Sequence, residues 1–236
     1  MPSSGVVPGV AVLTAANLLN NRYARRWSVP TSVAATVLLV GIARRSGASW
    51  ADLGLDRHGR GLRAGGALAA GVAAVYAAGA ALPATRVFFE DERAAALDRS
   101  ALLRHMLVDV PLGTVLLEEV GFRGVLYGLL RRSHGTAVAT GVSSLLFGLW
   151  HVLPAQDLAK ANPALATATS AGETDGVRLT LGAVASTGLA GVLFCELNRR
   201  SRSILAPVGL HLATNSLGYL AAWLVSRRGR RGGDDK

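Results

Sequence analysis

Six stretches of this chain contain no Asp, Glu, Lys or Arg: residues 1–21, 27–43, 64–85, 133–156, 179–195 and 203–226. Several reach the ~20 residues an α-helix needs to cross ~30 Å of hydrocarbon. The charges collect between them, as in Arg25-Arg26, Arg44-Arg45, Arg131-Arg132, Arg199-Arg200 and Arg227-Arg228. Composition agrees with the patterning. Only 17% of the 236 residues are charged and 50% are hydrophobic, against roughly 25% charged in ordinary soluble domains. The expectation is an all-α, polytopic transmembrane helix bundle of about seven helices, near 5–20, 29–43, 63–82, 108–130, 136–153, 179–197 and 204–225.

That setting accounts for the net charge of +10. Arginine doublets at helix ends anchor to anionic headgroups, and the basic tail 226–236 reads the same way. No basic face on a soluble domain is visible, so nucleic acid is not an expected partner. Cys195 is the only cysteine, which excludes an internal disulfide. Arg22 is the first positive residue, so the N-terminus reads as a first membrane segment and not as a cleaved signal peptide. The third window is rich in Gly and Ala, which let neighbouring helices approach closely. Residues 86–104 are expected to form an amphipathic interfacial helix, and the Pro/Gly-bearing loop 154–178 to be the mobile element. The chain divides into N-terminal helices and a basic loop (1–94), a core (95–225) and the tail.

Against this background, "LLEEVGFRGVLYGLL" at 116–130 stands out, because Glu118, Glu119 and Arg123 lie inside an apolar span. Ionisable groups at membrane depth are expensive and mark functional sites by default. His151 in "FGLWH" and His211 with Asn215 in "HLATN" are further polar groups on apolar helices. Glu119–Arg123, Phe147–His151 and His211–Asn215 share a four-residue spacing, which stacks each pair on one helix face. Adjacent Glu118 and Glu119 point about 100° apart and cannot do the same work. Glu119 is expected to pair with Arg123, leaving Glu118 to face the bundle interior. Phe147 reads as packing; His58, His105 and His134 read as interfacial.

A carboxylate, two imidazoles and a carboxamide on three helices suit hydrolysis. An apolar setting strengthens a carboxylate as proton acceptor for water. Imidazole and amide N–H groups can face a developing oxyanion. The same Glu118, His151 and His211 could instead ligate a divalent metal such as zinc. No H-E-x-x-H is present, no GxGD aspartate pair, and no G-x-S-G at the serines of "GVSSLL". A transporter using the same groups would show two related halves with broken helices, and no repeat is visible. A non-catalytic binding protein of the same fold is the other alternative.

"EEVGFR", "FGLWH" and "HLATN" have the forms EExxxR, FxxxH and HxxxN, in that order on successive helices. In this the chain resembles the CPBP intramembrane endopeptidases. That superfamily includes the type II CAAX prenyl endopeptidases and bacterial bacteriocin-processing or self-immunity (ABI) proteins. The resemblance covers about 95–220, and "SWADLGL" at 49–55 is similar to the family's upstream linker. It implies Glu118 as the catalytic carboxylate, with His151 helping to activate water. His211 and Asn215 would stabilise the oxyanion, and Glu119, Arg123 and Phe147 would support the site. It further implies a peptide or membrane-protein substrate, a multi-pass location in a bacterial cell membrane, and no required cofactor, zinc being the alternative.

Overall fold

Helices fill the apolar windows. The computed structural model describes residues 4–161, 167 and 176–233 and contains no strand among them. The principal elements are α1 (Val6–Leu18), α2 (Ser28–Arg45), α3 (His58–Ala81), α4 (99–134), α5 (136–150), α6 (Val152–Ala161), α7 (Gly176–Ser201) and α8 (205–233). Among the described residues, five helical stretches are long and apolar enough to span a bilayer: Arg25–Arg45, His58–Ala81, Arg99–Asp157, Thr180–Ser201 and Leu205–Arg228. The protein is therefore an all-helical membrane bundle.

The count differs from the expected seven for two physical reasons. α1 runs only 13 residues before loosening into a π-helical turn at Leu19–Tyr23. It buries Gly9, Leu13, Ala16 and Asn17 against its neighbours instead of standing as a long apolar rod. The helices expected at 108–130 and 136–153 belong to one run, Arg99–Asp157. That run turns at Gly135, whose φ of 80° and ψ of 175° are open only to glycine. α5 folds back along α4, so Ser143 reaches Phe122 and Trp150 reaches Glu118.

The interfacial helix expected over 86–104 is broken into short turns at Pro83–Arg86, Val87–Phe89 and Glu92–Ala95 before α4 begins. The loop expected over 154–178 starts as α6, and 162–166 and 168–175 lie outside the described residues.

Burial is inverted relative to a soluble protein. Val75, Leu107, Leu145, Leu181 and Leu189 are more than half exposed, while Glu118, Glu119 and Arg123 are buried. An apolar exterior matches lipid as solvent, where helix contact depends on close packing and not on expulsion of water. α3 shows how. A Cβ on Gly209 of α8 would lie 2.6 Å from the Gly65 Cα of α3, so only glycine at both positions allows this crossing. Gly59, Gly66 and Gly71 face open space, so the small residues of α3 serve one contact face only.

Three segments have π geometry: His105–Val115 and Glu119–Leu126 in α4, and Ala213–Leu217 in α8. Wider turns tilt carbonyls away from the helical ladder, and in lipid every such group needs a partner. Side chains from neighbouring helices supply it. Ser216 Oγ donates to the Met106 carbonyl, five residues before Pro111, which has no N–H for that oxygen. Ser32 donates to Gly113, Ser143 to Phe122, Asn198 to Arg123 and Tyr76 to Thr214. The irregular backbone is stitched to its surroundings where the polar residues lie.

Candidate active site

Glu118 precedes the second π segment directly, and Glu119 opens it. The two carboxylates diverge as the 100° rule requires. Glu118 Oε1 accepts a 2.9 Å hydrogen bond from Trp150 Nε1, and its Oε2 is buried with no hydrogen-bond partner. That oxygen lies 3.8 Å from Nε2 of His151 and 3.8 Å from Nε2 of His211. Groups 33 and 93 residues farther along the chain thus meet at one carboxylate oxygen.

Hydrogen bonds on the far side of each ring set its tautomer. His151 Nδ1 lies 2.8 Å from the Phe147 carbonyl oxygen, which can only accept, so Nδ1 carries the hydrogen. In the neutral ring, Nε2 then offers a lone pair toward Glu118. His211 Nδ1 lies 2.7 Å from Glu119 Oε1, and an ionised carboxylate likewise accepts. His211 is 5% exposed, whereas the His151 side chain is 20% exposed and is the more accessible edge of the cluster.

Glu119 and Arg123 form the expected internal pair, with Oε1 and Nη1 3.3 Å apart and both side chains fully buried. The guanidinium nitrogens make no well-formed hydrogen bond in the protein. Instead the Arg123 guanidinium carbon sits 3.7 Å from the centre of the Phe147 ring and 4.8 Å from that of Phe194. A cation over an aromatic face in a desolvated site gains substantial electrostatic attraction. Phe147 does more than pack: its face holds Arg123, its edge meets His151 at 4.5 Å, and its carbonyl orients the same imidazole.

Asn215 lies half-buried on the π segment that follows His211 and makes no side-chain hydrogen bond among the described residues. The structure therefore draws Glu118, His151 and His211 into direct proximity and leaves the Asn215 amide unengaged. His105 differs from its expected interfacial place. It packs 4.1 Å from the Tyr219 ring, with Nδ1 3.7 Å from Asp109.

Sequence reasoning missed Trp150. Its signal was available: an indole N–H within an apolar span needs a hydrogen-bond partner, and a buried carboxylate lay on the preceding helix. Asn17 of α1 donates to the Trp150 carbonyl at 2.9 Å, so the N-terminal helix also braces the site. Phe194, which flanks both Arg123 and His211, was missed as well.

Zinc accepts two imidazoles and a carboxylate, but tetrahedral bonds of about 2.0–2.1 Å place ligand atoms about 3.3 Å apart. Both imidazole–carboxylate separations exceed this, and no cluster of described His, Cys, Asp or Glu side chains has the geometry to hold a metal. The spacing of Glu118, His151 and His211 leaves room for a hydrogen-bonded water and is too wide for a tetrahedral zinc ion.

Residues 100–217 match the family described as "Type II CAAX prenyl endopeptidase Rce1-like", which takes in half of the chain and every polar residue of the cluster. No curated protein and no solved structure gives a significant match. The chain belongs to this Rce1-like family of CAAX-type intramembrane proteases.

Proposed function

We propose that the protein is a glutamate-dependent intramembrane endopeptidase in which Glu118 is the base. The observation that carries this reading is the buried, unpartnered Oε2 of Glu118, facing the Nε2 atoms of two imidazoles at 3.8 Å. A buried carboxylate oxygen without a partner is costly, and water is the partner its chemistry requires.

In the proposed reaction, water is held between Glu118 Oε2 and His151 Nε2, at the more accessible edge of the cluster. Glu118 takes a proton as the water oxygen attacks the peptide carbonyl, and later delivers that proton to the leaving amine. The carbonyl oxygen gains the negative charge. Asn215 supplies amide N–H donors to it, and His211 supplies its Nε2–H when the ring is an imidazolium. Glu119 supports that cation through Nδ1, and Arg123 balances the second carboxylate. The reading needs no metal. The substrate is a peptide with a membrane-embedded or prenylated C-terminal region, delivered from the bilayer.

The test is cleavage of a panel of peptides, including farnesylated C-terminal CAAX peptides, by purified protein in detergent, with products identified by mass spectrometry. Wild-type protein should release a defined fragment that Glu118→Gln does not. Equal product from both proteins rules out Glu118 as the base.

A further inference from the structure

A second polar site lies at the end of the bundle away from His151. The loop 49–57, the end of α4 and the turn after α7 enclose a cleft of about 530 Å³, within the range of small-ligand pockets. Four arginines line it, Arg57, Arg131, Arg199 and Arg202, against two acids, Asp52 and Asp56. Arg131 lies 3.2 Å from Asp52, Arg57 lies 3.7 Å from Asp56, and Arg199 is bound by Glu196. Arg202 has no partner among the described residues.

Two features mark the cleft as built for a ligand. Tyr127 is 2% exposed, lines the cleft, and its hydroxyl is buried without a hydrogen-bond partner. Arg202 occupies the left-handed region with φ 54°, the only described non-glycine residue to do so. That position, just past a helix end, ordinarily takes glycine. Ser201 Oγ clamps the turn by donating to the Ser203 carbonyl and accepting from the Ser203 N–H. A local conformational penalty is therefore carried by a residue whose side chain is a free cation at the cleft.

The cleft is roughly 20 Å from Glu118 along α4, at about 1.5 Å per residue, and so is separate from the proposed active site. It sits among the arginine doublets Arg131-Arg132 and Arg199-Arg200 that cap two membrane helices. Arginine recognises phosphate through paired N–H donors, and basic pockets between helix ends at a membrane surface suit phospholipid headgroups.

We propose that this cleft binds a phosphate-bearing anion, the headgroup of an anionic phospholipid, through Arg202 and the Tyr127 hydroxyl. The test uses the full-length protein in phosphatidylcholine nanodiscs or uncharged detergent. It is titrated separately with short-chain phosphatidylglycerol and with inorganic phosphate, with affinity read by thermal shift and native mass spectrometry. Arg202→Gln should weaken phosphatidylglycerol binding about tenfold, the scale of one charged hydrogen-bonding contact. Tyr127→Phe should weaken it several-fold, and Arg228→Gln, at the far end of α8, should not change it. Competition by millimolar phosphate makes the phosphate group itself the determinant and admits the free ion as a source. Arg202-dependent binding without competition assigns the lipid alone. If Tyr127→Phe fails to fold, exposed Arg202 carries the test by itself. Affinity unchanged in Arg202→Gln for both anions, or lost equally in Arg228→Gln, overturns the proposal.

Discussion

Glu119 and His211, 92 residues apart in the chain, share a 2.7 Å hydrogen bond, and the same carboxylate oxygen faces Arg123 at 3.3 Å. His211 also lies 3.8 Å from Glu118 Oε2. One imidazole therefore joins the two neighbouring glutamates, whose tasks substitution can separate.

Glu118→Gln keeps the shape and removes the base, so peptide cleavage should vanish while thermal stability and expression hold. Glu119→Gln leaves Arg123 buried without its counter-charge, a change that typically costs about 3–5 kcal/mol. It should lower the melting temperature and yield of folded protein. Comparable stability loss in both variants would contradict this division.

Asn215 has no side-chain partner to lose, so Asn215→Ala should leave folding nearly intact. Removing one oxyanion donor typically lowers kcat about 10²–10³-fold. Steady-state kinetics with the cleaved peptide should show that loss in kcat with KM almost unchanged. A melting shift without a kinetic effect would place Asn215 outside the reaction.

Trp150 holds Glu118 through its indole N–H and touches nothing that reacts. Trp150→Phe retains the ring contact with Phe122 and deletes that donor, worth about 1.5–3 kcal/mol for a bond to a charged group. We expect a reduced kcat, unchanged KM and a folded protein. A rise in KM alone would instead indicate a substrate contact.

Cleavage should persist after exhaustive chelation, with no stoichiometric zinc by elemental analysis. Loss on chelation with recovery on added zinc would reassign Glu118, His151 and His211 as ligands.

The loop 49–57 offers a pH test outside the membrane. Burial raises the Asp52 carboxyl, but the Ser49 N–H and hydroxyl, with Arg132 and Arg131, outweigh it and hold the group below its usual range. A depressed carboxylate stabilises the folded state fully above its unfolded value of about 3.9, and that contribution is lost as pH falls through the folded value. Hydrogen exchange of 49–57 should accelerate as the pH is lowered toward that point. Asp52→Asn should exchange fast at neutral pH and show no such acid dependence.

Much of this molecule was legible because lipid imposes simple rules. Charge-free windows located the helices, and Glu118, Glu119 and Arg123 stood out because charge at depth is rare. The Glu119–Arg123 pair followed from helical spacing. The Glu119–His211 bond did not, since it depends on how α4 and α8 are set side by side. The fold-back at Gly135 was hidden because a single glycine in an apolar run can equally sit in a straight helix. Pro111 signalled irregular backbone, but only three-dimensional packing shows that Ser216 answers the carbonyl it leaves open.

A π turn holds one residue more than an α turn, so the stretch Glu119–Leu126 is counted differently from the helix around it. Deleting one residue there would let the chain relax into ordinary α spacing, and the segment would gain local regularity. Everything beyond the deletion would swing by about 100° relative to Glu118. The Arg123 and Phe122 carbonyls would turn away from Asn198 and Ser143, and α5 would no longer bring Trp150 and His151 to the same carboxylate. The number of residues in this stretch is thus as much part of the site as their identities, and a scan of single deletions should be harsher there than one of single substitutions.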